Sequence, residues 1–177
     1  MKYILSVVCC IALGSISGLA QRKAAPKPAM TDQQFVDFAA QTDMVEANLG
    51  QLAQTVAASQ SVKDYAQMLV TDHTNDFSQL NDVAHQANLN VPNAIDTEHN
   101  KKMIAPFQKL KGAAFDRRYI HEMIVGHTKA LAVYKKEAAD AQNPALQSYA
   151  EQAVPVLEKH LAAAKELEKS NTRAKRR

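Results

Sequence analysis

In this chain of 177 residues, four side chains that could bind a metal ion lie within segments of helical periodicity: Glu46, His73, His127 and His160. Each falls in a run whose apolar residues return every three or four positions, which is typical of a helix with one buried face. Burying such groups without partners is unfavourable, so they either hydrogen-bond to one another or bind a cation. Imidazole and carboxylate ligands suit zinc, iron, manganese or copper. We therefore expect one transition-metal ion, with Asp76 as a fifth candidate ligand, or else a metal-free polar network.

Other polar side chains near these positions could orient the ligands through hydrogen bonds. They are Asp72, Tyr65, Tyr119 and Glu122. The pattern departs from that of carboxylate-bridged diiron proteins, which take Glu from two helices and Glu-x-x-His from two others. His73-Thr74-Asn75-Asp76 reverses this order, and Leu157 occupies the position three before His160. Oxygen-activating diiron chemistry is therefore disfavoured, and no catalytic residue is assigned.

The positions of these residues depend on four long segments with helical periodicity, and no segment shows the alternation of a strand. The first begins with the capping-box pattern Thr31-Asp32-Gln33-Gln34, and the second begins near Ser59. The third follows Gly112, and the fourth opens with Asn143 as cap and Pro144 at the first helical position. The sequence therefore predicts an all-α protein.

The lengths of the connections predict the topology. Only a few residues join the first segment to the second and the third to the fourth, so each pair is expected to form an antiparallel hairpin. About 25 residues, from Asn88 to Gly112, join the hairpins and can return along the length of a helix. We expect a ferritin-like four-helix bundle of two antiparallel hairpins joined by a long crossover, with the candidate ligands near mid-height.

The two ends of the chain differ in composition from this domain, which we place at residues 31–168. Residues 1–20 have a short basic start, an apolar run and small residues near Ala20, the layout of a signal peptide. Residues 21–30 read as a linker. Both cysteines, Cys9 and Cys10, precede the expected cleavage site, so the exported chain would lack disulfides. A periplasmic or secreted location is expected.

Charge is segregated along the chain. Residues 31–168 contain twelve Lys and Arg against eighteen Asp and Glu, whereas residues 169–177 form a basic tail. The tail suggests weak contact with a membrane surface or a polyanion, or else a solvated end. No basic, aromatic-interleaved face is present in the domain, so no nucleic-acid partner is expected. The few, widely spaced glycines exclude a phosphate-binding loop. The sequence does not predict an oligomeric state.

Four blocks in order resemble a known family: FVDFAAQTDMVEANLGQL from Phe35, YAQMLVTDH from Tyr65, GAAFDRRYIHEMIVGH from Gly112 and VPVLEKH from Val154. They are similar to domain of unknown function 4142, a ferritin-like family of exported bacterial proteins. The resemblance covers residues 31–167 and implies that fold and an envelope location, but no activity. The positions that match its motifs are Glu46, Asp72, His73, Phe115, Asp116, Tyr119, His127, Pro155 and His160.

Three functions are compatible with these observations. The first is a non-catalytic, exported protein that binds a single transition-metal ion. The second is a metal-dependent oxidoreductase. The third is a metal-free scaffold or interaction protein of the envelope. Metal binding separates the first two from the third, and oxygen-dependent oxidation separates the second from the first.

Overall fold

A computed structural model describes residues 30–175, and every long element in that range is a helix. Four long helices form a bundle: α1 (Asp32–Val56), α2 (Gln60–Gln86), α4 (Gly112–Asp140) and α5 (Pro144–Lys175). A single turn, α3 (Thr97–His99), lies between the pairs. No strand occurs between residues 30 and 175, and the predicted all-α fold is confirmed. The predicted signal peptide (1–20), the linker up to residue 29 and the last two residues of the basic tail lie outside the described residues.

Local hydrogen bonds explain where the helices begin. The side chain of Thr31 accepts from the backbone N–H of Gln34, and the side chain of Gln34 accepts from the N–H of Thr31, so the predicted capping box is formed. Asn143 Oδ1 accepts from the N–H of Ala145 at 2.9 Å, ahead of the first turn of α5. That helix continues to Lys175 and so includes most of the predicted basic tail.

The helices form two antiparallel hairpins, α1–α2 and α4–α5, which dock through α2 against α5 and α1 against α4. Phe35 near the start of α1 packs against Tyr134 near the end of α4, with ring centroids 5.1 Å apart. Tyr65 and Tyr119, near the starts of α2 and α4, are 6.3 Å apart. These contacts make α2 and α4 parallel, as the long crossover predicts.

The crossover, residues 87–111, is held along α1. The side chain of Gln33 donates to the carbonyl of Asn90 at 2.7 Å, and that of Gln41 donates to the carbonyl of Ala94 at 3.0 Å. Further along, a π-helical turn (Asn100–Ile104) and a 3-10 turn (Ala105–Phe107) bury Ile104 and Phe107 against the bundle. The crossover therefore closes one end of the core.

The bundle core divides into two apolar clusters. The lower cluster surrounds the α1–α2 turn and includes Leu49, Leu69, Phe115 and Tyr119. The upper cluster surrounds the α4–α5 turn and includes Phe35, Leu80, Tyr134 and Leu146. Between them lies a buried polar layer of Asp43, Glu46, His73, His127 and His160, each 5% exposed or less. The candidate ligands thus lie at mid-height.

None of the helices in residues 30–175 is long and apolar enough to cross a membrane.

Candidate metal centre

Three histidines from three helices meet at the centre of the polar layer. His73 on α2, His127 on α4 and His160 on α5 are 3%, 1% and 1% exposed. Their ring centroids are separated by 5.2–5.7 Å, so the rings form a nearly regular triangle. One ring nitrogen of each lies within 4.8 Å of one nitrogen of each of the others. The structure therefore brings together the three histidines that the sequence singled out.

Each ring is held from its outer side by an oxygen atom. His73 Nδ1 lies 2.8 Å from Asp43 Oδ1, and His160 Nε2 lies 2.8 Å from Asp72 Oδ2. His127 Nδ1 lies 2.9 Å from the carbonyl oxygen of Met123, one turn earlier on α4. Since the carbonyl of Met123 and the carboxylate of Asp72 accept hydrogen bonds, the outer nitrogens of His127 and His160 carry the proton. A neutral ring then presents an unprotonated nitrogen toward the other histidines.

Burial keeps at least two of the rings neutral. It lowers the pKa of His127 to about 3, with a further decrease from the charges of His73 and His160. Burial also lowers the pKa of His160 to about 4, although the hydrogen bond to Asp72 opposes the shift. Near neutral pH, both rings therefore carry one proton each, and that proton lies on the outer nitrogen.

The inner nitrogens of these two rings face each other at short range. His127 Nε2 and His160 Nδ1 are 3.2 Å apart. With both protons on the outer nitrogens, the contact joins two lone pairs and is repulsive unless a positive species lies between them. Nearby, His73 Nε2 is buried without any hydrogen-bond partner. Two ligands at about 2.0–2.1 Å from one tetrahedral ion are roughly 3.3 Å apart. The nitrogens of His127 and His160 therefore have the spacing of two ligands of one transition-metal ion, and a nitrogen of His73 lies within 4.8 Å of a nitrogen of each.

Glu46, predicted as a ligand, is not part of this group. Its Oε1 lies 3.8 Å from His127 Nδ1, the outer nitrogen, which already donates to Met123. This distance is too long for a hydrogen bond, and a neutral ring forms no ion pair. Burial raises the pKa of Glu46 to about 7, while the charge of His73 opposes the shift. A Cβ at Gly126 would lie 3.2 Å from Glu46 Oε1, so this glycine makes room for the carboxyl group.

Asp76, the fifth predicted ligand, also lies outside the group of three nitrogens. Its Oδ2 accepts a hydrogen bond of 2.8 Å from the hydroxyl of Tyr149. Its carboxyl also lies close to that of Asp43 and near His73, with which it interacts electrostatically. Burial first, and then the charge of Asp76, raise the pKa of Asp43 well above its usual range. Asp76 lies on the part of α2 that helical spacing predicts, but its carboxyl interacts with the hydroxyl of Tyr149 and the carboxyl of Asp43.

The four residues predicted to orient the ligands have different roles. Asp72 holds His160 as expected, and its side chain is 29% exposed. The hydroxyl of Tyr65 donates to the backbone carbonyl of His160 at 3.3 Å, so it contacts the helix and not the ring. The hydroxyl of Tyr119 is buried without a partner. Glu122 pairs with Arg118 at 3.2 Å and contributes to the raised pKa of Glu46.

Comparison with known proteins identifies the family. The model of the domain of unknown function DUF4142 matches residues 17–167. The chain belongs to the DUF4142 family. No curated protein matches the DUF4142 chain in sequence.

Solved structures of similar fold carry the name CopM. One is CopM in the Cu(II)-bound form, with 15% sequence identity, a TM-score of 0.61, and coverage of 81% of this chain and 99% of that one. The Ag-bound and Cu(I)-bound forms each have 16% identity and a TM-score of 0.62, with coverage of 80% of this chain and 97% of theirs. At these identities, the likeness establishes a common fold.

Two of the three groups that hold the rings in this DUF4142 chain were not predicted from the sequence. Asp43 is 2% exposed and orients His73. Its spacing contained a signal, because it lies four residues after the buried Ala39 and three before Glu46, on the same face of α1. The carbonyl of Met123 gave no such signal, since every helical residue has a carbonyl and only the ring orientation selects this one.

A cavity of about 410 Å³ opens beside the histidines, between α2 and α5. His73 and His160 line it, together with Asp72, Asp76 and the surface residues of both helices.

Asp116, one of the positions that match the family's motifs, lies outside the centre: its carboxylate accepts from the N–H groups of Ala58 and Ser59 at 3.0 and 2.9 Å. It therefore fixes the α1–α2 turn to α4, a structural role.

Proposed function

We propose that this protein binds a single transition-metal ion through His73, His127 and His160, and that copper is its first candidate. The observation that carries the proposal is the 3.2 Å contact between His127 Nε2 and His160 Nδ1, two nitrogens whose protons lie on the opposite sides of their rings. A cation between them would remove the repulsion. The unpartnered Nε2 of His73 supports the same location.

Copper is favoured over the other candidates for two reasons. Imidazole nitrogen is a good ligand for copper, and among divalent first-row ions Cu(II) binds most tightly to a given nitrogen site. In addition, the similar folds named CopM were solved with Cu(II), Cu(I) and Ag bound. The carboxyl groups of Asp43 and Asp72 would orient two of the imidazoles and offset part of the charge of the ion.

A metal titration of the purified, chelator-treated protein tests this function. We expect one Cu(II) per chain, with electron paramagnetic resonance showing couplings to imidazole nitrogens. Replacement of a single ligand, in His73→Ala, His127→Ala or His160→Ala, should weaken binding at least a hundredfold, because a three-ligand site loses a direct bond to the ion. Circular dichroism would confirm that each variant is helical.

Matched controls come from the exposed histidines. His85 and His121 lie on the surfaces of α2 and α4, so His85→Ala and His121→Ala should retain the affinity of the wild type. Copper binding that depends on His85 or His121 would contradict the proposed site. The absence of stoichiometric copper, zinc, manganese and iron would also contradict the proposal and would favour a metal-free scaffold. Oxygen-dependent oxidation by the metal-loaded protein, lost in His127→Ala, would instead assign an oxidoreductase.

We also propose that the protein acts in the periplasm or outside the cell. The support is the sequence of residues 1–20, with its basic start, apolar run and small residues before the expected cleavage site. Mass spectrometry of the protein recovered from the producing bacterium would test this. Loss of about twenty N-terminal residues is expected, and an intact N-terminus would contradict it.

A further inference from the structure

The cavity between α2 and α5, here called the α2–α5 cavity, connects the polar layer with the surface. Its inner wall contains His73 and His160, which are almost completely buried. Its outer wall contains Asn75 and Gln152, which are exposed, and Val156, which is 41% exposed. A solvent-facing surface thus lies next to two of the three candidate ligands.

The size and charge of the cavity suit a hydrated cation. A volume of about 410 Å³ exceeds the roughly 180 Å³ taken up by six waters at about 30 Å³ each. Asp72 and Asp76 line it against a single Lys159, so the lining carries more negative than positive groups. Asp72 is also the partner of His160 Nε2 and is 29% exposed, so it contacts both the solvent-facing part and the centre.

Two features of α5 lie at this wall of the cavity: a small side chain and a proline. Ala153 presents only a methyl group to the cavity, and Pro155, within the same stretch, has no N–H with which to bond the carbonyl of Glu151. The helical hydrogen bond between residues 151 and 155 is therefore missing, in the turn that carries Ala153 and precedes Val156, both of which line the cavity.

We infer that the α2–α5 cavity is the route by which a metal ion reaches and leaves the three histidines. This inference rests on the proposed function. Asp72 and Asp76 attract the hydrated ion, and the cavity holds it while its waters are exchanged for imidazole nitrogens. Narrowing the outer part of the cavity should then slow binding and release together, because it changes the path and leaves the ligands intact.

The variant Val156→Trp tests the route. The residue lies on the exposed part of α5, so a larger side chain there fills the cavity without entering the apolar clusters. We expect the rate of Cu(II) binding in stopped-flow mixing, and the rate of release to a chelator, each to fall at least tenfold. The dissociation constant should stay within about threefold of the wild type. Asn75→Trp, on the opposite wall, provides a second variant.

Val125→Trp is the matched control, since Val125 is 48% exposed on α4 and does not line the cavity. It should bind and release Cu(II) at wild-type rates. Wild-type rates in folded Val156→Trp and Asn75→Trp would overturn the route while leaving the proposed function intact. A wild-type protein that binds no Cu(II) at the histidines would overturn the proposed function, and the route with it.

Discussion

The polar layer and the two apolar clusters on either side of it are built from the same four helices but satisfy different requirements. In the lower cluster, Phe115 stacks on Tyr119 with centroids 5.5 Å apart, and the packed side chains are almost all apolar. The lower cluster contains one buried atom without a hydrogen-bond partner, the hydroxyl oxygen of Tyr119, whereas the polar layer contains three: Asp43 Oδ2, Glu46 Oε2 and His73 Nε2. Such atoms destabilise a folded protein by about 1–3 kcal/mol each. The clusters thus stabilise the bundle, whereas the layer lowers its stability and maintains a binding geometry.

The largest effect is expected in the lower cluster. Phe115 is fully buried, so Phe115→Ala removes a large apolar side chain and leaves a cavity. The free energy of unfolding, measured with urea, should fall by about 3–5 kcal/mol. Copper affinity of the folded variant should stay within about threefold. Phe35→Ala in the upper cluster is the matched control, and a tenfold loss of copper affinity in either variant would show that clusters and layer are not independent.

The second effect depends on pH and concerns Glu46. Its pKa rises from 4.5 to about 7 on folding, so the folded protein retains a proton that the unfolded chain releases within that range. Stability from this group is therefore complete below pH 4.5 and lost as the pH rises toward 7. Glu46→Gln should gain stability relative to the wild type by roughly 3 kcal/mol between pH 4.5 and 7.5.

Urea unfolding of the metal-free proteins at several pH values measures this gain. Glu151→Gln, at an exposed position on α5, is the control and should show no pH-dependent gain. The histidines act in the opposite direction, since the lowered pKa values of His127 and His160 make stability rise with pH between about 3 and 6.5. Both Glu46→Gln and the wild type share that dependence. If the difference in free energy of unfolding between the two proteins did not change with pH, the raised pKa of Glu46 would be contradicted.

A smaller effect is expected at Asp43, which orients His73 from outside. Asp43→Asn keeps the size of the side chain and an acceptor oxygen but replaces a carboxyl group, which can ionise beside a bound cation, with an amide, which cannot. Copper affinity should fall about tenfold to hundredfold, which corresponds to about 1.4–2.8 kcal/mol. Competition titration with a chelator measures it. Asp37→Asn on the same helix, half-buried but away from the histidines, should leave the affinity unchanged; equal losses in both variants would exclude the positioning role.

The smallest effect is expected on the surface. Lys135 Nζ and Glu158 Oε1 are 2.6 Å apart between α4 and α5, and both side chains are about half exposed. Solvent weakens such pairs, so Glu158→Gln should change the free energy of unfolding by less than about 1 kcal/mol. Copper affinity should not change. A larger loss would mean that surface charge, and not the buried layer, maintains the geometry of the site.

The fold could be predicted almost completely from the sequence, because it depends on repeated signals. The Thr31 capping box, the Asn143-Pro144 start and the apolar periodicity each recur in the structure at the predicted positions. The short and long connections then leave few topologies. The convergence of three histidines was also predictable, since each lies on a buried face near mid-height.

The finer contacts of the centre could not be predicted, because they depend on side-chain direction. Glu46 and Asp76 share the buried faces of their helices with the histidines, but rotation about single bonds takes their carboxyls to Gly126 and Tyr149. Helical spacing fixes the height and the face of a residue within about one turn. It does not determine which of two neighbouring rings or carboxyls a flexible side chain will meet.

The two hairpins contribute unequally to the proposed centre. His73 comes from the first, whereas His127 and His160 both come from the second, beyond the crossover. A protein with only one hairpin folded can therefore offer a copper ion at most two of the three imidazoles. During refolding in the presence of copper, the third nitrogen coupling should appear only after the two hairpins have docked. The time at which it appears would therefore measure the rate at which the bundle assembles.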